Sequence, residues 1–200
     1  MLPRIEVKTL DNEGLRQAAI SMNNMIFKDF VPDIIVGIRS GGYVMAEIMA
    51  KEASHQPILL AISRRRKSTE TKSKIKGLKN LLGFLPYFVT DHLRIWEHKR
   101  LNGKPVESPK PFVPDADELA KLKTILQPKQ GHKILIVDDA VDSGATMKAV
   151  LDMVRSEAGS SSIVKTAALT LTTEHSLVNP DYVIYKNVLV RFPWSFDFKI

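Results

Sequence analysis

Cysteine is missing from all 200 residues, which excludes disulfides, a thiol nucleophile and cysteine-ligated zinc. Long apolar runs are missing as well. None approaches the roughly 20 residues that a spanning helix needs, and Met1-Leu2-Pro3-Arg4-Ile5-Glu6 has no signal-peptide core. The expectation is a soluble cytoplasmic protein with no membrane partner. The five histidines, His55, His92, His98, His132 and His175, make no helical metal pair and no HExxH site, and surface or packing roles suit them. Neither a glycine-rich dinucleotide fingerprint nor a P-loop is present, and no internal repeat is visible.

What is present is enough apolar residue, 44% of the chain, to build a sizeable core within one domain or a domain with a small appendage. The formal net charge is +7, which suits a polyanionic ligand, nucleic acid or an anionic surface. Much of the excess falls within residues 64–76, from Arg64-Arg65-Arg66-Lys67 to Lys74-Ile75-Lys76, without interleaved aromatics for stacking bases. Two readings of that stretch stand: a solvated basic loop, or a lid that closes over a diphosphate and excludes water.

Patterning alternates between strand and helix. A short strand is expected over 4–8, an amphipathic helix over 12–28, and a buried strand over 33–38. Arg39-Ser40-Gly41-Gly42 follows, then a helix over 43–52 and a strand over 57–63. Residues 86–100 suit a helix with Phe88, Val89, Leu93 and Trp96 on one face. The apolar stretch before it, Leu81-Leu82-Gly83-Phe84-Leu85-Pro86, reads as core or subunit interface. Residues 105–114 read as a proline-rich linker. Asp115 and Glu118 have capping-box spacing before a scaffold helix over 115–126, with Leu119, Leu122, Ile125 and Leu126 on one side. Strands are expected over 163–172, 182–185 and 188–192. Such alternation implies an α/β fold with a mainly parallel sheet flanked by helices.

The most informative stretch is Ile134-Leu135-Ile136-Val137-Asp138-Asp139-Ala140-Val141-Asp142-Ser143-Gly144-Ala145-Thr146. A β-branched run suits a central parallel strand, and the turn after it can surround an anion with backbone N–H groups and hydroxyls. Gly144 permits close approach, Ser143 and Thr146 add donors, and a helix over 146–157 directs its N-terminus at the same anion. Acids beside an anion nest are consistent with a sugar phosphate, the acids binding hydroxyls and the loop binding phosphate. A helix cap or a receiver-type acid pair would also place two aspartates after a strand, but neither accounts for the serine, glycine and threonine spacing. Arg39-Ser40-Gly41-Gly42 makes a second strand-to-helix anion turn about a hundred residues earlier.

The stretch from Ile134 to Thr146 resembles the phosphoribosyl-diphosphate motif of type I phosphoribosyltransferases, and Arg39-Ser40-Gly41-Gly42 is similar to their diphosphate loop. Lys165-Thr166-Ala167-Ala168-Leu169, Pro180-Asp181-Tyr182 and Phe192-Pro193-Trp194 extend the resemblance to the 6-oxopurine branch, which acts on hypoxanthine, guanine and xanthine. It covers most of the chain outside 78–131, so the resemblance implies a single domain over 1–200 with an atypical, mostly helical insertion there. It also implies a small hood built from the N- and C-terminal segments.

By that resemblance, Asp138 and Asp139 hold the ribose 2- and 3-hydroxyls, and Ala140, Val141, Asp142, Ser143, Gly144, Ala145 and Thr146 wrap the 5-phosphate. Ser40, Gly41 and Gly42 bind the diphosphate and Arg39 stabilises it as it leaves. Asp142 is implied as acid/base partner of the purine N7, its other reading being a carboxylate that caps the next helix. The base-binding positions fall at Thr172, Leu189 and Val190, where Thr172 replaces a lysine that reads the 6-oxo group and Leu189 replaces the stacking aromatic. Ser195 stands where the family has an acid, with Asp197 near. The implied cofactor is Mg2+, held by diphosphate oxygens and water, with Asp138 and Asp139 acting indirectly. The implied partners are phosphoribosyl diphosphate and a heterocyclic base, in purine salvage, within a homodimer or higher homo-oligomer. The other reading is a regulator without activity that senses phosphoribosyl diphosphate and binds nucleic acid.

Overall fold

The computed structural model describes residues 5–64, 85–102, 112–127 and 131–199. The chain order is β1 (Glu6–Thr9), α1 (Asn12–Ile26), β2 (Ile34–Ile38), α2 (Gly41–Lys51), β3 (Ile58–Ile62), α3 (Tyr87–Asn102), α4 (Ala116–Leu126), β4 (Lys133–Val141), α5 (Ala145–Ala158), β5 (Ile163–Leu171), β6 (Tyr182–Lys186) and β7 (Val188–Arg191).

Five strands form a wholly parallel sheet in the order β3-β2-β4-β5-β6. The β-branched runs sit at its centre because a parallel strand is covered on both faces. All five residues of β2 are buried. Alternation then sorts side chains between two layers. Ile35, Leu135, Val137, Ala167 and Leu169 pack with α1 and α2, through residues such as Met22, Met45 and Met49. Ile34, Val36, Ile134, Ile136 and Ala168 pack on the other face with Leu122, Leu126, Val150 and Val154 of α4 and α5. Each fully buried aliphatic side chain contributes about 2 kcal/mol, so the alternation fixes the register of every central strand.

Helix starts follow local chemistry. The Asp11 carboxylate caps α1 by accepting from Gly14 N at 2.7 Å, and Asp115 caps α4 by accepting from the amides of Asp117 and Glu118. The capping box expected there is only half made, because Glu118 turns its carboxylate elsewhere.

β1 and β7 form a separate two-stranded parallel sheet, with Glu6 opposite Val188. This is the hood expected from the two terminal segments. β6 is not part of it, because Ala167 pairs with Tyr182 and draws β6 onto the edge of the main sheet.

The helix expected over 86–100 forms as α3, but its apolar face does not enter the core. Phe88, Leu93 and Trp96 are exposed, and α3 docks through Tyr87, Thr90, Asp91 and Arg94. The reason is Arg191 on β7, which is 1% exposed and donates to Thr9, Thr90, Asp91 and Asp197 while stacking on the Tyr87 ring. A buried guanidinium must be fully paired, and α3 supplies part of that pairing. Among the described residues no helix is long and apolar enough to cross a membrane.

Candidate active site

β2 and β4 are neighbours in register, Gly37 opposite Val137, so the turns at their carboxyl ends lie side by side. β4 is longer than its apolar run suggests and carries Asp138, Asp139, Ala140 and Val141 on the strand itself. The turn comprises Asp142, Ser143 and Gly144, and α5 begins with Ala145 and Thr146. Gly144 has φ 74, and a Cβ there would press on the amides of Val178 and Leu177 at 2.9 and 3.0 Å. The turn is pinned from outside by Leu177 N donating to Ser143 O at 2.9 Å. The N-cap of α5 is Gly144, without a side chain, and among the described residues the side-chain acceptor for the first turn is the Ser143 hydroxyl, at 3.4 Å from Ala145 N, a long contact that an anion can displace.

Asp138 is buried and accepts from the amide of Asp139 at 3.0 Å. Burial pushes its carboxyl well above the usual carboxylate range, and the charge of Asp139 beside it adds to the rise. Asp139 is also raised by burial, against opposing hydrogen bonds from Asp138 and from Trp194, whose Nε1 donates to Asp139 Oδ2 at 3.0 Å. Two carboxyls held so close share charge reluctantly. Hydroxyl donors on a ligand would relieve both.

The first anion turn closes directly on these acids. Gly41 and Gly42 open α2 two residues earlier than the sequence suggests. A Cβ on Gly42 would lie 2.6 Å from Val137 O and 2.7 Å from Asp138 Cα, and one on Gly41 would collide with the Asp139 carboxylate. Only glycine permits this approach. Ser40 is the N-cap of α2 without a side-chain cap bond, and the Arg39-Ser40 peptide is cis. Arg39 lies over the Tyr43 ring at 5.1 Å, and its Nε pairs with Glu118 Oε1 at 2.8 Å.

Asp142 is exposed, and its carboxylate accepts from the buried Thr172 hydroxyl at 2.5 Å instead of capping α5. Thr172 therefore lies at the site, though engaged by the acid. Val190 packs in the core and Leu189 is buried on the hood strand, so neither leaves an aromatic face for a base. Asp197 does not take over from the missing acid. Burial alone would raise its carboxyl, yet hydrogen bonds from Arg94 and Arg191 hold it far below the usual range. Ser195 Oγ accepts from Phe192 N at 3.0 Å.

The basic stretch beyond Arg64 and the apolar stretch before Leu85 lie outside the described residues, as does the linker before Phe112. Among the described residues no group of three or more His, Cys, Asp or Glu forms a metal cage. The donor set fits Mg2+ only in the shared manner of phosphate sites, with Asp138 and Asp139 at the edge and ligand oxygens and water supplying the rest. Sequence reasoning missed two residues. Trp194 served as a motif anchor with no sign that it would meet Asp139, and Glu118 was absorbed into a capping box although its carboxylate reaches Arg39.

The chain matches the phosphoribosyl transferase domain over residues 7–199. No match is found among curated proteins. Among solved structures it is similar to a purine phosphoribosyltransferase from Pyrococcus horikoshii Ot3, with TM-score 0.57, 20% identity and coverage of 97% of this chain and 96% of that one. It is similar to a Helicobacter pylori xanthine-guanine-hypoxanthine phosphoribosyltransferase, with TM-score 0.59, 14% identity and 94% of each chain covered. A hypothetical protein from Neisseria gonorrhoeae with bound ppGpp gives TM-score 0.57 and 14% identity, over 96% of this chain and 90% of that one. Two anion turns joined at one sheet edge, a hood of the two terminal strands and a match from residue 7 to 199 identify the chain as a member of the phosphoribosyl transferase family with the type I fold.

Proposed function

We propose that this phosphoribosyltransferase transfers the 5-phosphoribosyl group from phosphoribosyl diphosphate to a ring nitrogen of a purine-like base, releasing diphosphate with Mg2+ as cofactor. The observation that carries the reading is the contact of the two turns, with Gly41 and Gly42 laid on Asp138 and Asp139. It puts a diphosphate loop within reach of a ribose-binding acid pair, which a free-standing phosphate site would not need.

In this reading Asp138 and Asp139 accept from the ribose hydroxyls and fix the sugar ring. Amides and hydroxyls from Ala140 to Thr146 hold the 5-phosphate. The acceptor nitrogen bonds to C1 as the C1–oxygen bond breaks, and the electron pair departs with diphosphate. Arg39 and the amides of the Ser40 to Gly42 turn stabilise charge as it builds there. When bound, Mg2+ neutralises diphosphate oxygens. Asp142 takes the proton that the acceptor loses, its carboxylate oriented by Thr172. Thr172 in place of a cation and Leu189 in place of an aromatic point to an acceptor bound less by a 6-oxo contact and stacking than by shape. The similarity to purine enzymes favours a purine-like ring.

The test is thermal-shift titration with phosphoribosyl diphosphate and Mg2+, followed by diphosphate release across purines, pyrimidines and other nitrogen heterocycles. Saturable stabilisation of about 2–4 kcal/mol at a large ligand excess, with release for a purine-like acceptor, is expected. Absence of stabilisation overturns the proposal; release with a non-purine acceptor alone overturns the purine assignment.

A further inference from the structure

α4 was expected to be scaffold, yet its third residue, Glu118, brings a carboxylate to Arg39. Leu122 and Leu126 bury α4 against the sheet, and the amide of Asp115 donates to Ser63 O at 2.9 Å, so the first turn of α4 is fixed at the end of β3. From that turn Glu118 projects with its side chain only 15% exposed. Its two oxygens divide their work. Oε2 accepts from both the amide and the hydroxyl of Ser63, the latter at 2.8 Å, and Oε1 pairs with Arg39 Nε at 2.8 Å.

We infer that Glu118 is a positioning residue that holds the Arg39 guanidinium in its diphosphate-binding orientation. The inference rests on the reading of Arg39 as the arginine that stabilises the departing diphosphate. An arginine 52% exposed would otherwise sample many rotamers, and ordering it on ligand arrival would weaken binding. Here its Cζ lies over the Tyr43 ring and its Nε is ion-paired with Glu118. With Nε beside Glu118, the Nη1–Nη2 edge is the fork that matches two oxygens of a diphosphate. Ser63 anchors the carboxylate from the opposite side, so Glu118 cannot follow the arginine if it swings away. Carboxylate and diphosphate then meet different edges of one cation, and the repulsion between them is partly screened at this half-exposed position.

Glu118→Gln separates anchoring from positioning. The glutamine oxygen can still accept from Ser63, while its amide meets Arg39 Nε as donor against donor. Calorimetric binding of diphosphate with Mg2+, and of ribose 5-phosphate, is measured for the wild type, Glu118→Gln, Arg39→Ala and the double variant. The expected result is diphosphate binding weakened roughly tenfold in Glu118→Gln, with ribose 5-phosphate affinity and melting temperature kept. On the Arg39→Ala background the Glu118 substitution should have no further effect. The KM for phosphoribosyl diphosphate should rise in parallel. Equal losses with and without Arg39, unchanged diphosphate affinity, or tighter diphosphate binding in Glu118→Gln would each overturn the inference while leaving the transferase reading intact. A wild type that binds neither diphosphate nor phosphoribosyl diphosphate would sink that reading and the inference together.

Discussion

Thr172 and Asp142 are thirty positions apart in sequence and meet through a single hydrogen bond at 2.5 Å. The pairing of Val141 with Leu171 in the β4–β5 ladder brings them together, one at the end of each strand. Because the hydroxyl is buried and the carboxylate is exposed, the threonine fixes the rotamer of the acid. Thr172→Val should therefore lower kcat roughly tenfold with little change in the KM for phosphoribosyl diphosphate, and Thr172→Ser, which keeps the hydroxyl, should restore most of it. Asp142→Asn should lower kcat about a hundredfold or more and still bind phosphoribosyl diphosphate. Steady-state kinetics with the acceptor from the heterocycle panel decides both; equal kcat for Thr172→Val and wild type would remove the positioning role. The acid was legible in the sequence because motif spacing is local. Its partner was legible only as a departure from the resemblance, since strand register between residues 142 and 172 has no local signature.

At the scale of elements, α3 shows how an amphipathic pattern can mislead. Phe88, Leu93 and Trp96 make an apolar stripe, yet the helix docks through its polar residues because Arg191 and Asp197 lie where it lands. Nothing local to residues 87–102 reveals partners a hundred positions away. Asp197 is the pivot, accepting from both Arg94 and Arg191 while 6% exposed. Asp197→Asn should destabilise the protein by about 3 kcal/mol or more at neutral pH, by leaving buried arginine charge incompletely paired. The carboxyl is held below its unfolded value of 3.8, so its contribution is present above that value and is lost as pH falls through the lower folded one. Urea unfolding at pH 7 and pH 3 should show the gap between variant and wild type narrowing in acid; a constant gap would mean the pair contributes through packing alone. The strands and α1, α2, α4 and α5 were legible to within a few residues, since the central strands are continuous apolar runs and the helices bury residues at a period of 3.6. The extension of β4 through both acids was not, because apolarity ends at Val137 while hydrogen bonding to β5 continues to Val141.

Across the whole molecule, the buried acid pair is a cost to folding. Asp138 has its carboxyl raised by burial, so the folded state favours the neutral form. Stability of the free protein is therefore undiminished below the unfolded value of 3.8 and falls as pH rises toward and through the raised one. This slope opposes that of Asp197. Asp138→Asn can still accept from the amide of Asp139 and should stabilise the free protein by on the order of 1 kcal/mol at pH 7, less at pH 4, while losing affinity for phosphoribosyl diphosphate. Denaturation curves at the two pH values, with and without ligand, measure both effects; a variant less stable than wild type at pH 7 would refute the cost. The parallel sheet and the site on its carboxyl edge were legible as a whole, since strand-turn-helix units carry them. The hood was legible through its ends alone.

That hood joins the first of the described strands to the last, Glu6 pairing with Val188. During synthesis β1 therefore emerges early and stays without its partner until β7 follows, after both anion turns have been made. The order of assembly places both strand-to-helix turns before the closure of the hood. A ribosome-bound chain stalled short of residue 188 would accordingly hold both anion turns beneath an unclosed roof.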